Sequence, residues 1–253
     1  NAQGRKPEIP SDWVTLPALT RSLGISERAV RTFIGEARML RSDLIRDRIN
    51  RRGDATTFCD PALGAVIQQA ILPPGSTDGH ISITTVAGIM EEDPAARRTA
   101  ALQELLAGTP DVKLVFSEYG ADPWYIPDGF RRVADAAGKR DVVDDFLARE
   151  RIAALLAQGW QRESTVRDTI ARIPEPFQEE LRTLWTDARA EHPDWEEHIT
   201  VGGERIVLIT PSFTERLSER IQQRRELIEQ QEQHDARLKR KRRKATITEL
   251  QRN

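Results

Sequence analysis

At 253 residues the chain has room for one large core or for two to three small domains. With 38% hydrophobic and 31% charged residues it has the balance of a soluble globular protein, and no run of roughly 18 apolar residues is present to span a bilayer. The single cysteine, Cys59, excludes an internal disulfide and a cysteine-rich zinc site, and fits a reducing compartment. The formal net charge of -2 hides an uneven distribution. Residues 1–72 hold eleven basic against eight acidic side chains, and residues 223–253 hold ten against five. Between them, 73–138 has five against ten and 139–222 has twelve against seventeen. Contact with phosphates is therefore expected to be concentrated at the two ends, since the acidic middle is poorly suited to lying flat on a polyanion.

In chain order, the first strong signal is residues 15–38, TLPALTRSLGISERAVRTFIGEAR. Leu16, Leu19 and Leu23 recur at helical spacing, with Pro17 in the first turn, where its missing N–H costs nothing. Gly24 is a helix stop, Ser26 a natural N-cap, and Ala29, Val30, Phe33 and Ile34 form the apolar stripe of a second helix. Two short helices joined by a tight glycine turn make a helix-turn-helix. Further on, Arg51-Arg52-Gly53-Asp54 is expected as a basic turn and Ala55 to Cys59 as a short strand. A helix from Asp60-Pro61 to Ile71 follows.

The Leu23-Gly24-Ile25-Ser26 turn resembles the helix-turn-helix of bacterial transcription regulators over about 24 residues, and the basic turn beside a strand looks like a wing. The resemblance implies a recognition helix from Ser26 to Arg38 in which Arg28, Arg31, Thr32 and Arg38 face nucleic acid, with Arg51 and Arg52 as wing contacts. The competing reading pairs these arginines with Glu27 and Glu36 as a solvated face.

Residues 73–79, PPGSTDG, form the clearest linker. Beyond it come helices at Ile83–Met90 and from Pro94 to about Ala107, strands at Val112–Phe116 and Trp124–Ile126, and a helix from Pro127 through Ala137. The third stretch places helices at about Val142 to Gln158, after a Ser164 cap, and at Phe177 to Ala190. Strands Ile199–Val201 and Ile206–Ile209 would pair across a glycine turn, and Pro211 opens a final helix. Each stretch thus ends in a strand followed by a proline-started helix. The second carries few positive charges and is expected as a spacer or protein-binding domain, while the third would touch a phosphate backbone weakly through Arg162, Arg167 and Arg205.

From Phe213 to about Leu238 a long polar helix is expected, whose apolar spacing fails too early for a long coiled coil. Lys239, Arg240, Lys241, Arg242, Arg243 and Lys244 then form a run that binds phosphate, anionic lipid or an import receptor, or stays solvated. The histidines, His80, His192, His198 and His234, form no metal motif, and no phosphate-cradling glycine motif follows a strand. The five tryptophans are expected in cores or at domain interfaces, and Trp124-Tyr125 has the composition to stack on an exposed base.

The fold class that follows is mainly α with small β hairpins, as tandem winged-helix-like domains at 1–72, 81–138 and 139–222. A linker at 73–80 joins the first two, and a basic tail occupies 223–253. The expected work is noncatalytic binding of double-stranded DNA in replication, partition, DNA transfer or transcription control. No cofactor, metal or membrane is involved, and the setting is cytoplasmic, on the nucleoid if the source is bacterial. The alternatives are an adaptor that assembles a complex through the acidic second and third domains, and a tandem winged-helix RNA-binding protein. DNA binding requires Arg28, Arg31, Arg51 and Arg52 on one exposed surface, whereas an adaptor leaves them scattered or paired with acids.

Overall fold

Three times along the chain a two-residue strand runs directly into a helix, and each time the same sequence of elements follows. The structure, a computed structural model, describes residues 8–250 except Arg51, Pro74, Pro174 and Pro176, with side chains through Arg240. The first module consists of β1 (Val14–Thr15), α1 (Leu16–Leu23), α2 (Glu27–Leu40), a 3-10 turn (Ser42–Leu44), β2 (Ile45–Ile49), β3 (Ala55–Cys59) and α3 (Pro61–Ala70). The second has β4 (Ile81–Ser82), α4 (Ile83–Met90), α5 (Pro94–Leu106), β5 (Val112–Ser117), β6 (Gly120–Tyr125) and α6 (Pro127–Ala136). After α7 (Arg140–Ala157), the third has β7 (Gln161–Arg162), α8 (Glu163–Ala171), α9 (Phe177–Glu191), a 3-10 turn (Pro193–Trp195), β8 (Glu196–Val201), β9 (Glu204–Ile209) and α10 (Pro211–Leu250).

Among the described residues the architecture is mainly helical with three small antiparallel sheets, ordered β1-β3-β2, β4-β6-β5 and β7-β9-β8. In each the hairpin's returning strand sits in the middle, paired on one side with its hairpin partner and on the other with the strand that opens the module. The chain divides into two compact units, residues 1–144 and 145–253, and the division falls inside α7.

Local sequence explains the first helix pair. The Thr15 hydroxyl accepts from the Ala18 N–H and caps α1, and the Ser26 hydroxyl accepts from the Ala29 N–H and caps α2. Between them Gly24 takes φ 67° and donates to the Thr20 carbonyl, a left-handed closure that a side chain would strain. Val30, Phe33 and Ile34 are then buried on one face of α2, which packs on α1, and Leu16 and Leu19 of α1 and Leu63 and Ile67 of α3 are buried in the same module, with α3 packed on α1. Cys59 closes β3 within this core, and burial pushes its thiol pKa up to about 11.

The linker expected at 73–80 begins under constraint. The Leu72 N–H donates to the Leu114 carbonyl at 2.9 Å, and Ile71 bridges Leu114 in parallel, so the end of the first module is stitched to β5 of the second. Pro74 lies outside the described residues.

In the second unit Leu181 and Trp185 of α9 pack with Ile209 and Phe213, and Ile152 and Leu155 of α7 pack on Leu208. Glu196, at the start of β8, accepts hydrogen bonds from the Arg189 guanidinium and the Trp185 indole. Burial alone would raise its pKa, but the bonds from Arg189 and Trp185 outweigh burial and hold the carboxyl below its usual range.

Several sequence expectations are corrected. Residues 45–49 form a strand, β2, which sequence reading left unassigned. Ser164 does not cap α8: that helix starts at Glu163 with no side-chain cap, because β7 pairs with β9 and feeds straight into it. Tyr125 is fully buried, its hydroxyl donating to Glu104 at 3.1 Å, so it offers no ring to a base. The final helix runs unbroken through Leu250, beyond the end expected near Leu238.

Two outcomes follow. Cys59 should resist an aromatic disulfide reagent in native protein and react stoichiometrically once denaturant unfolds the first module. Because the Glu196 carboxyl is depressed when folded, its stabilising contribution is present above its unfolded pKa and lost as pH falls through the folded value. Glu196→Gln should therefore destabilise the second unit at neutral pH, and the gap to wild type should close in denaturation curves taken at progressively more acid pH.

Candidate nucleic-acid interface

Helix α2 buries Ala29, Val30, Phe33, Ile34 and Ala37, which leaves Glu27, Arg28, Arg31, Thr32, Gly35 and Met39 exposed to solvent. Arg28, Thr32 and Glu36 follow one another at i, i+4 spacing, as do Arg31, Gly35 and Met39. These two adjacent stripes make one continuous surface.

One flank of that surface is built by the second module. Phe33 meets Phe116 of β5 edge-on, with ring centroids 5.9 Å apart. Arg98 of α5 donates to Glu36 at 2.7 Å and to the Ala121 carbonyl at 2.7 Å, tying α2 and β6 together. A Cβ placed on Gly120 would lie 3.2 Å from the Thr32 methyl, so the hairpin backbone passes directly against α2. The other flank is the module's own hairpin, where Arg38 of α2 forms a forked pair with Asp47 of β2 at 2.8 and 2.9 Å. Asp47 also accepts from Thr57 across the ladder, so it is held in place for that fork.

The expected contact residues therefore part company. Arg28, Arg31 and Thr32 are brought together on the open face, while Arg38 is turned toward Asp47. Arg31 pairs with Glu27 one turn away, with 66% of its side chain exposed, and Thr32 donates to the Arg28 carbonyl. Exposed pairs at i, i+4 are worth about 0.3–0.5 kcal/mol, so a phosphate can displace this one at small cost. Arg28 has no carboxylate partner among the described residues; its guanidinium lies 6.0 Å from the centroid of the Tyr119 ring. Arg52 is exposed at the β2–β3 turn, and Arg51 lies outside the described residues. Arg48, exposed on β2, adds a positive charge to that hairpin, whereas Arg46 donates to the Glu8 carbonyl and lies over Trp13.

The equivalent helices of the other modules offer less. The exposed positions of α5 include Ala95, Ala96, Thr99 and Gln103, and its arginines are engaged, Arg97 with Glu92 and Arg98 with Glu36. In α9, Arg182 pairs with Glu179 and Arg189 with Glu196. Of the third module's expected contacts, Arg167 donates to Glu163, Arg205 donates to the His198 ring, and Arg162 is exposed on β7. Lys239 and Arg240 are exposed on α10, while the side chains of Lys241, Arg242, Arg243 and Lys244 lie outside the described residues.

No family model, curated protein or solved structure matches this chain. Among the described residues no group of three or more histidine, cysteine, aspartate or glutamate side chains is placed to hold a metal, and no helix is long and apolar enough to cross a membrane.

Sequence reasoning missed three parts of this surface: Gly35, Tyr119 and the Arg98 tie. Gly35 was legible in principle, as a glycine at an outward position of a strong helical stripe. The other two depend on which module packs against α2. Since the Phe33–Phe116 contact joins the modules, Phe116→Ala should lower the first unit's stability by about 2 kcal/mol in chemical denaturation, given that such truncations cost about 3–5 kcal/mol when the ring is fully buried.

Proposed function

We propose that the chain is a noncatalytic double-stranded DNA-binding protein of tandem winged-helix-like modules, and that the open face of α2 is its principal contact. The observation that carries this reading is Gly35. A glycine in a helix interior costs about 1 kcal/mol relative to alanine, and a Cβ at Gly35 would meet no atom of the described residues within 4 Å. Nothing among the described residues accounts for that cost; Gly88 of α4 is open in the same way, but its neighbours one turn away are Thr84, Thr85, Glu91 and Glu92, without an arginine. A surface from outside that approaches the helix backbone closely accounts for it at Gly35, and the side chains around Gly35 state its chemistry. Arg28 and Arg31 lie on the turns before it, with Thr32 beside them, a set of forked and single donors suited to phosphate oxygens and guanine edges. Duplex DNA fits both requirements, because a helix seated in the major groove is flanked by phosphates and brings its backbone near base edges.

The repeated β-α-α-β-β-α order and the sheet with its returning strand in the middle support the winged-helix reading. The acidic second module then works as a splint for α2 and not as a second reading head. Met39, 86% exposed at the far end of the same face, favours a second reading in which a protein partner docks there.

Gly35→Ala separates the readings from a merely structural role. The substitution should stabilise the first unit by about 0.5–1 kcal/mol, seen as a raised denaturation midpoint, while weakening duplex binding. Arg28→Ala/Arg31→Ala should weaken binding at least about tenfold near 100 mM salt and reduce the slope of log affinity against log salt by about 2. Unchanged duplex affinity in both variants would contradict the proposal. Loss of capture of a protein partner, with no duplex binding in wild type, would favour the docking reading.

A further inference from the structure

We propose that the tip of the β5–β6 hairpin, in the second module, belongs to the DNA contact of the first, with Tyr119 and Arg28 acting together on one strand's phosphates. This deepens the reading of α2 as the DNA-binding face and rests on it.

Tyr119 is 76% exposed, among the most exposed large side chains of the described residues, at the apex of a module whose charge is otherwise acidic. The backbone that carries it is nonetheless held in place. Six residue pairs from Val112↔Tyr125 to Ser117↔Gly120 set the hairpin's register up to its last residue, and the Ser117 hydroxyl accepts from the Tyr119 N–H at 3.2 Å. Gly120 has φ 144°, a conformation that side chains rarely adopt, and a Cβ there would lie 3.2 Å from the Thr32 methyl, close enough that Thr32 would have to shift by a few tenths of an ångström. Beneath the tip lie the Phe33–Phe116 contact and the Arg98 hydrogen bonds to Glu36 and Ala121. A ring carried on so constrained a turn has little backbone freedom to lose when it meets a ligand.

The chemistry of the pair selects the ligand. The Arg28 guanidinium lies over the phenol face and keeps its N–H donors open to solvent, and the phenol hydroxyl adds a further donor. Donors that are not paired with a carboxylate suit a phosphate oxygen. Their position at the amino-terminal end of α2, the end that enters a groove, places them on the strand bordering that groove. The acids nearby are Glu27, engaged by Arg31, and Glu118 and Asp122 of the hairpin, both exposed. Glu118 stands next to Tyr119 in the turn and opposes the approach of phosphate, so its neutralisation should strengthen binding.

The test is fluorescence anisotropy of the full chain on a labelled duplex and on the matching single strand, for wild type, Tyr119→Ala, Tyr119→Phe and Glu118→Gln. The account predicts that Tyr119→Ala weakens duplex binding at least about fivefold and that Tyr119→Phe falls between it and wild type. Glu118→Gln should tighten binding about twofold to threefold, and all denaturation midpoints should stay unchanged because these side chains are exposed. Wild-type affinity in Tyr119→Ala, alongside a loss in Arg28→Ala/Arg31→Ala, would overturn the hairpin's role and leave the α2 reading standing. A loss confined to the single strand would likewise overturn it, in favour of base stacking. Absence of any duplex binding in wild type would overturn both.

Discussion

The packing of α2 against the β5–β6 hairpin is the constraint on which the first unit depends. Phe33 faces inward from α2 and meets Phe116, which belongs to the next module, so one aromatic contact finishes the first core and fixes where the second begins. The Arg98 bonds to Glu36 and Ala121 and the Leu72–Leu114 stitch follow from that seat, and together they make two modules one unit. A helix held on both flanks, by Asp47 on its own hairpin and by Arg98 on the neighbouring one, has a single face left for anything outside the chain. Rigidity of this kind is what a recognition surface needs, since a helix that shifts by a fraction of a turn presents different residues.

Electrostatics sharpen the same conclusion. Arginines are spread over the described chain, but many are spent on carboxylates within it: Arg97 on Glu92, Arg131 on Asp144, Arg151 on Glu197, Arg189 on Glu196. The Arg140 guanidinium, with that of Arg131 behind it, donates to Asp144 and holds its carboxyl below the usual range against the opposing effect of burial, a mark of pairing that serves the fold. Against that background Arg28 lies over an aromatic ring with no carboxylate partner among the described residues, a state it shares with Arg46, Arg216 and Arg224, and it differs from these in standing on the open face of α2. Positive charge counted along the sequence says little about phosphate contact until such pairs are subtracted.

Much of the fold was legible in the sequence because its signals are local. Gly24 and Ser26 punctuate the first helix pair, Asp60-Pro61 and Pro127 start helices, and Gly202-Gly203 turns the last hairpin, each through backbone chemistry within a few residues. Strand β2 was not, because Ile45 and Ile49 are four apart and Arg46 and Arg48 lie between them, a pattern that fits one helical face as well as an alternating strand. The leading two-residue strands escape any periodicity argument; they exist only because a returning strand offers them an edge. The candidate site was half legible for the same reason. Arg28, Arg31 and Thr32 could be read from helical spacing, whereas the diversion of Arg38 to Asp47 and the arrival of Tyr119 beside Arg28 are tertiary events.

The most direct test of the central claim, that the open face of α2 seats on duplex DNA, is oxidative footprinting of the full chain with and without a saturating duplex. Met39 on α2 and Leu227 and Ile228 on α10 are all exposed and serve as internal reporters. The account predicts that duplex DNA suppresses oxidation across the segment from Glu27 to Met39 while Leu227 and Ile228 keep their reactivity. Protection confined to α10, with Glu27–Met39 oxidised as fast as in free protein, would contradict it.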